Sequence, residues 1–194
     1  EGYPISGANV MLNTASPQSV STDVNGCFCI NDIFEGDYQL QVSAPGFALY
    51  STEIQLRSGS LGTTAAIVLG ESLFSDGFDT DLDAWQATTP WDRVQQGSNW
   101  VLTDSPSGNY ANNANRSIRL AEPISLANIQ NPSLSFKAKW DLESGYDYVY
   151  VEASATGSSN WVVLDSFTGN QDQWTQQVYS LGDYAGGNFY LRFR

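Results

Sequence analysis

The sequence predicts an all-β chain folded as two consecutive antiparallel β-sandwiches. Three observations carry that expectation. Gly, Ser, Thr, Asn and Asp are abundant while 13% of the residues are aromatic, a mixture suited to short strands joined by tight turns. Apolar and polar residues alternate in segment after segment, and no stretch keeps a helical period, so at most one or two short helical turns are expected. The composition also breaks near Leu69-Gly70-Glu71. Residues 1–70 hold six acids, one base (Arg57) and no tryptophan, whereas residues 71–194 hold fifteen acids, seven bases and all six tryptophans. A first domain at 1–70 and a second at 71–194 follow. With 194 residues, 41% of them hydrophobic, each can bury a core of its own.

In the first domain Val10 and Leu12 alternate with polar neighbours. Asn25-Gly26 is a strong hairpin turn, since both residue types tolerate positive φ. A strand is expected at Cys27-Phe28-Cys29-Ile30, with Phe28 and Ile30 on one face. Gly36-Asp37 leads into Tyr38 to Val42, where Tyr38, Leu40 and Val42 face inward. Ala44-Pro45-Gly46 turns the chain, Ile54 and Leu56 alternate, and Ala65 to Leu69 closes the domain. Turn-bounded strands at intervals of about 8–12 residues suggest a sandwich. Alternation puts Cys27 and Cys29 on the face opposite Phe28. Residues i and i+2 of a strand stand about 6.5–7 Å apart, at or beyond disulfide geometry. Two surface thiols, or a strained bond without function, are the favoured reading, and a redox or metal role lacks the usual Cys-x-x-Cys spacing.

In the second domain Leu134, Phe136, Ala138 and Trp140 alternate cleanly within Ser133–Trp140. Tyr146 to Ala155 reads as a long strand, apolar on both faces. Trp161–Leu164, Trp174–Tyr179 and Phe189–Phe193 follow. About eight antiparallel strands point to a jelly roll.

The charge balance narrows the function. At a net charge of −13 the surface repels phosphate backbones and anionic membranes, so nucleic acid is not an expected partner. No apolar run reaches the roughly 20 residues that span a bilayer, and no membrane insertion is expected. The absence of histidine removes Ser-His triads, Cys-His dyads and His-built metal sites. No phosphate-binding Gly-rich loop and no nucleophile with a base appear, so the chain reads as non-catalytic. Acids such as Asp141, Glu143 and Asp147 could in principle pair for glycoside hydrolysis, but spacing alone shows no pair.

Two resemblances sharpen this. Pro4-Ile5-Ser6-Gly7-Ala8-Asn9-Val10, Thr22-Asp23-Val24-Asn25-Gly26-Cys27-Phe28, Gly36-Asp37-Tyr38-Gln39-Leu40 and Ala44-Pro45-Gly46-Phe47 together resemble the carboxypeptidase regulatory-like domain. That resemblance implies a transthyretin-like sandwich of about seven strands, usually a non-catalytic module of secreted or cell-surface proteins. Asp76-Gly77-Phe78-Asp79 with Trp85, Trp100 with Asp104-Ser105-Pro106 and Tyr110, Gly145 to Ser154, Trp161 and Leu191-Arg192-Phe193-Arg194 are similar to MAM-like jelly rolls. The likeness is to those on secreted bacterial peptidases of the immune-inhibitor-A and bacillopeptidase type. Both families extend beyond the present ends, which implies clipped termini.

Calcium is the expected ion. Asp76, Asp79, Asp81 and Asp83 crowd one loop, and hard cations take six to eight oxygens. The Asp-x-Asp-x-Asp run lacks the glycine and final glutamate of an EF-hand. The second resemblance instead implies a structural metal held by Asp76, Asp79, Asp104 and Asn109, without the family's closing Asp pair. For ligand binding the candidates are Tyr146, Tyr148 and Tyr150 on one strand face, with Lys137, Lys139, Arg192 and Arg194 on the outer faces of two other strands. If those strands are neighbours they form a cationic stripe fit for a polysaccharide or an acidic partner. The alternative is that the tyrosines pack on the other domain and the bases pair with nearby acids.

The expected role is an accessory segment of a larger secreted or cell-surface bacterial protein. It would space, stabilise or target other domains of that protein. Two alternatives stand beside it: an adhesive subunit of an extracellular appendage, joined to its neighbour by strand exchange, and a carbohydrate-binding module. Asn115-Arg116-Ser117 is a glycosylation sequon, meaningful only in a host that uses it.

Overall fold

The computed structural model describes residues 3–57, 67–70, 72–129 and 131–194. Its regular structure is antiparallel β-sheet with one 3-10 turn, Gly182–Tyr184. The chain divides into two compact units, Glu1–Leu73 and Phe74–Arg194.

In the first unit β1 (Asn9–Asn13), β2 (Gln18–Ser21), β3 (Gly36–Ser43) and β4 (Tyr50–Leu56) form one sheet in the order β2-β1-β3-β4. The period-2 pattern sets its faces. Val10 lies opposite Val20 and Val42, and Leu12 opposite Leu40. Ala8, Val10, Leu12, Leu40 and Val42 are buried. Ile5, Ile30, Ile33, Ile67 and Leu69, all outside strands, cover that face. Among the described residues the covering layer is therefore extended chain rather than a second hydrogen-bonded sheet, and four strands form where the resemblance implied about seven.

The strand expected at Cys27–Ile30 is not formed. The Asp23 carboxylate accepts the N–H groups of Asn25 and Cys27 at 2.8 Å each, and Gly26 takes φ +72°. The turn is thus tied to Asp23, after which the chain runs on without ladder pairing. Ile30 packs inward while Phe28 is exposed, so the two do not share one buried face. Of the closing strand, Ala65 and Ala66 lie outside the described residues; Ile67 and Leu69 contribute packing without forming a strand, and Val68 is exposed.

Among the described residues the second unit has ten strands. They are β5 (Trp85–Ala87), β6 (Asp92–Gln96), β7 (Asn99–Thr103), β8 (Ile118–Leu120), β9 (Ile124–Ser125), β10 (Ser133–Asp141), β11 (Val149–Ser154), β12 (Val162–Phe167), β13 (Asn170–Ser180) and β14 (Asn188–Phe193). A six-stranded sheet runs β12-β11-β14-β8-β5, with β9 also on β14. β10 pairs with β13, and β6 with β7. The core lies between the first two sheets. Val151, Ala153, Leu191, Phe189, Ile118 and Leu120 are buried on the larger sheet, and Leu134, Phe136, Ala138 and Trp140 of β10 pack against them. Phe136 meets Phe193 edge-on at 5.1 Å between centroids, and Trp140 stacks on Phe167 at 4.3 Å. The alternation read from β10 is realised residue by residue. The long strand expected over Tyr146–Ala155 starts only at Val149, because residues 144–146 turn about Gly145 at φ +78°.

Candidate functional site

The acids of the opening segment serve mainly to tie the chain to itself. Asp76 Oδ1 accepts the Phe78 N–H at 2.7 Å, and Oδ2 accepts the indole N–H of buried Trp85 at 2.8 Å. Asp81 Oδ1 takes the Asp83 N–H, and Asp104 Oδ1 takes the Ser105 hydroxyl at 3.0 Å. Asp79 and Asn109 are exposed. Among the described residues no group of three or more metal-ligating side chains comes together.

A contact that spacing could not show lies nearby. The Tyr110 hydroxyl donates to Asp147 Oδ2 at 2.7 Å across 37 positions. That bond, with burial and the negative charge of Asp104, raises the phenol above its ordinary range against a backbone bond that lowers it. It fastens the long loop after β7 to the entrance of β11.

The outer face of β11 and β14 carries a stacked cluster. Glu152 stands opposite Arg192 in the ladder. Its carboxylate accepts from Arg192 Nε at 2.6 Å and from Arg194 Nη2 at 2.9 Å, with the Glu152 side chain 3% exposed. Each guanidinium also lies over a ring: Arg192 is 4.1 Å from the Trp161 centroid, and Arg194 is 4.5 Å from that of Tyr150. Tyr148 stacks on Tyr150 at 5.9 Å. Burial alone would raise the Glu152 pKa, but the two guanidinium hydrogen bonds and charges overcome it and hold the carboxyl below its ordinary value. The same bond raises the Arg194 pKa. Two sequence expectations are corrected. Tyr146 sits in the turn before β11 and is 78% exposed, so it does not continue the Tyr148–Tyr150 row. The Arg192–Arg194 strand and the Lys137–Lys139 strand belong to different sheets, so no single cationic stripe exists. Glu152 was missed as a partner, although an acid inside Val149–Ala153 is itself a signal, because a buried carboxylate needs a cation.

Lys137 and Lys139 project instead from β10, paired with β13. Lys137 lies opposite Gln176. Lys139 Nζ is 5.2 Å from the ring centre of Trp174, which is 45% exposed. Neither lysine makes an ion pair among the described residues.

In the first unit Cys27 and Cys29 are free, exposed thiols. Cys29 Sγ approaches Asn31 Oδ1 at 3.3 Å, and Cys27 Sγ approaches the Asn25 carbonyl at 3.8 Å. Chemically, the sheet faces set cationic and aromatic side chains in contact, where guanidinium and ammonium groups are attracted to ring faces.

Comparison with known proteins agrees with this architecture. Residues 1–70 match the model of the carboxypeptidase regulatory-like domain, a non-catalytic domain type. Over 87 residues the chain is 33% identical to Bacillopeptidase F of Bacillus subtilis (strain 168). That match covers 45% of this chain and 6% of the Bacillus protein. No solved structure matches the chain. The N-terminal 70 residues are thus similar to the carboxypeptidase regulatory-like domain, and part of the chain is similar to a small portion of Bacillopeptidase F.

Proposed function

We propose that this chain is a non-catalytic accessory segment of a larger exported bacterial protein, of the kind that carries a peptidase. It spaces, stabilises or targets the domains beside it. The observation that carries the reading is the pairing of a regulatory-like first domain with likeness to 6% of a much longer Bacillopeptidase F. Two units with separate apolar cores suit a spacer, because a unit with its own core can in principle fold by itself. The second unit enters the proposal as a MAM-like module on the strength of its motifs.

Two measurements test it. The purified chain should leave casein, chromogenic peptides and chromogenic glycosides uncleaved, and turnover above the buffer blank would end the reading. Deleting the segment from the protein that carries it should change kcat/KM on a small soluble substrate by less than about twofold, while altering thermal inactivation or action on a polymeric substrate. A proportionate loss on both substrates would place the segment in the catalytic machinery instead.

The second reading, an appendage subunit joined by strand exchange, draws on one feature. β12 is the edge of the large sheet, and its Val162 and Val163 are 55% and 49% exposed. An exposed apolar edge is a template for pairing. A monomer by sedimentation at all concentrations tested would remove it.

A further inference from the structure

Lys137 and Lys139 are the only lysines in the sequence. Both stand on one strand of a chain with net charge −13, and their setting differs from that of the arginines. Arg192 and Arg194 are clamped on Glu152. Arg119 donates to the Leu120 carbonyl and to Gln86. Arg93 donates to the Phe78 carbonyl at 2.8 Å and lies over Trp100. The two ammonium groups have no carboxylate partner among the described residues. Being two residues apart on β10, they share the face turned away from Leu134, Phe136, Ala138 and Trp140.

What surrounds them favours a sugar polymer. Lys139 Nζ lies over one face of the half-exposed Trp174 indole, and a free π-face of such a ring packs against the C–H face of a pyranose as it would against any apolar surface. Gln176 lies opposite Lys137, and exposed Ser135 and Ser180 continue the same side of the sheet. These supply hydroxyls and amides at the spacing of alternate strand residues, about 6.5–7 Å. Asp141, two residues beyond Lys139 on β10, and Asp172, two residues before Trp174 on β13, border the site on the same side. The Asp141 carboxylate accepts from Asn170 at 2.9 Å, and neither acid pairs with a lysine.

We infer that the outer face of the β10–β13 pair is a binding site for a carboxylate-bearing polysaccharide, with Lys137 and Lys139 receiving the carboxylates and Trp174 stacking on a ring. The site stands on the second unit's own residues and does not depend on the accessory reading. A chain of net charge −13 repels polyanions as a whole, so two lysines without carboxylate partners among the described residues stand out against that background.

The probes are polygalacturonate, its fully methyl-esterified form, dextran and poly-glutamate, with the 194-residue chain in affinity electrophoresis and titration calorimetry. Polygalacturonate should retard the chain, and the ester and dextran should do so at least tenfold more weakly. Raising salt from about 0.05 to about 0.5 M should abolish the retardation, since screening shortens to a few ångströms. Lys137→Gln/Lys139→Gln should weaken binding at least tenfold. Arg57→Gln/Arg116→Gln, with the same net charge, should leave it within twofold. Trp174→Ala should remove the preference for polygalacturonate over poly-glutamate. All the altered side chains are exposed, and unchanged melting temperatures verify folding. Equal binding of the ester, equal loss in both double variants, or poly-glutamate bound as tightly as polygalacturonate would overturn the assignment; the last would mean an acidic peptide site.

Discussion

Glu152 on β11 and Arg192 on β14 face each other in the ladder, their Oε2 and Nε 2.6 Å apart beneath the ring of Trp161. Arg194 closes on the other carboxylate oxygen from beside Tyr150. The carboxylate is nearly sealed from water while both guanidiniums keep an exposed side. Removing one partner of such a set leaves charge without compensation, which costs about 3–5 kcal/mol in buried pairs. Glu152→Ala, which strands two arginines, is expected near that range in urea unfolding. Arg194→Ala should cost less, since Arg192 still holds the carboxylate. A loss under about 1 kcal/mol for Glu152→Ala would show the cluster to be no stronger than an exposed pair.

The same residue gives the fold an acid dependence. The folded-state pKa of Glu152 lies below its ordinary value of 4.5, so the unfolded chain binds the proton first as pH falls. The contribution is fully present above about 4.5 and is lost as pH drops through the folded value. Tyr179 adds a dependence on the alkaline side. Burial, and a hydrogen bond to Asp165 Oδ2 at 2.9 Å, raise its phenol well above 10.0. Its contribution is present below pH 10 and declines as pH rises from there toward the folded value. Tyr179→Phe should flatten the decline above pH 10, and Glu152→Gln the decline below pH 4.5, in melting temperature measured against pH. A variant curve parallel to the parent's would exclude that residue as the titrating group.

Local pattern was enough for some of this. The β10 face could be read outright, because Leu134, Phe136, Ala138 and Trp140 occupy every second position and a strand repeats every two residues. Two things were not legible. The chain after Gly26 looks like a strand, but whether Cys27–Ile30 finds a pairing partner depends on distant backbone. Likewise the sides of Lys137 and Arg192 could be assigned, yet not their sheets, since neighbour order is a property of topology. The expected stripe failed for that reason, and the Tyr110–Asp147 bond was out of reach for the same one.

Asp76 separates two roles that its sequence setting left open. Its oxygens accept one N–H each, from Phe78 and from Trp85, which gives it a part in the fold distinct from any ligation of an ion. Asp76→Ala leaves a buried indole N–H without its acceptor, and a loss of about 1–3 kcal/mol is expected. That loss should be equal in millimolar calcium and in chelator. A ligand of a structural ion would behave differently: the parent would melt several degrees lower in chelator, and the variant would show no difference between the two.

Gly157 tests how tightly the loop between β11 and β12 is seated. Its φ is +71°, and a Cβ there would come within 2.7 Å of the Tyr190 ring. Its N–H also donates to the buried Ser154 hydroxyl at 3.1 Å, which in turn donates to the Ser159 carbonyl. Alanine at this position meets both penalties, the left-handed backbone at about 1–2 kcal/mol and overpacking at about 1–3 kcal/mol. Gly157→Ala is expected to destabilise the chain by about 2–4 kcal/mol, given those terms. Adding Tyr190→Ala should restore the steric part and leave the backbone part. If the double variant is no less destabilised relative to Tyr190→Ala than Gly157→Ala is relative to the parent, the ring is not what the glycine accommodates, and the cost is conformational alone.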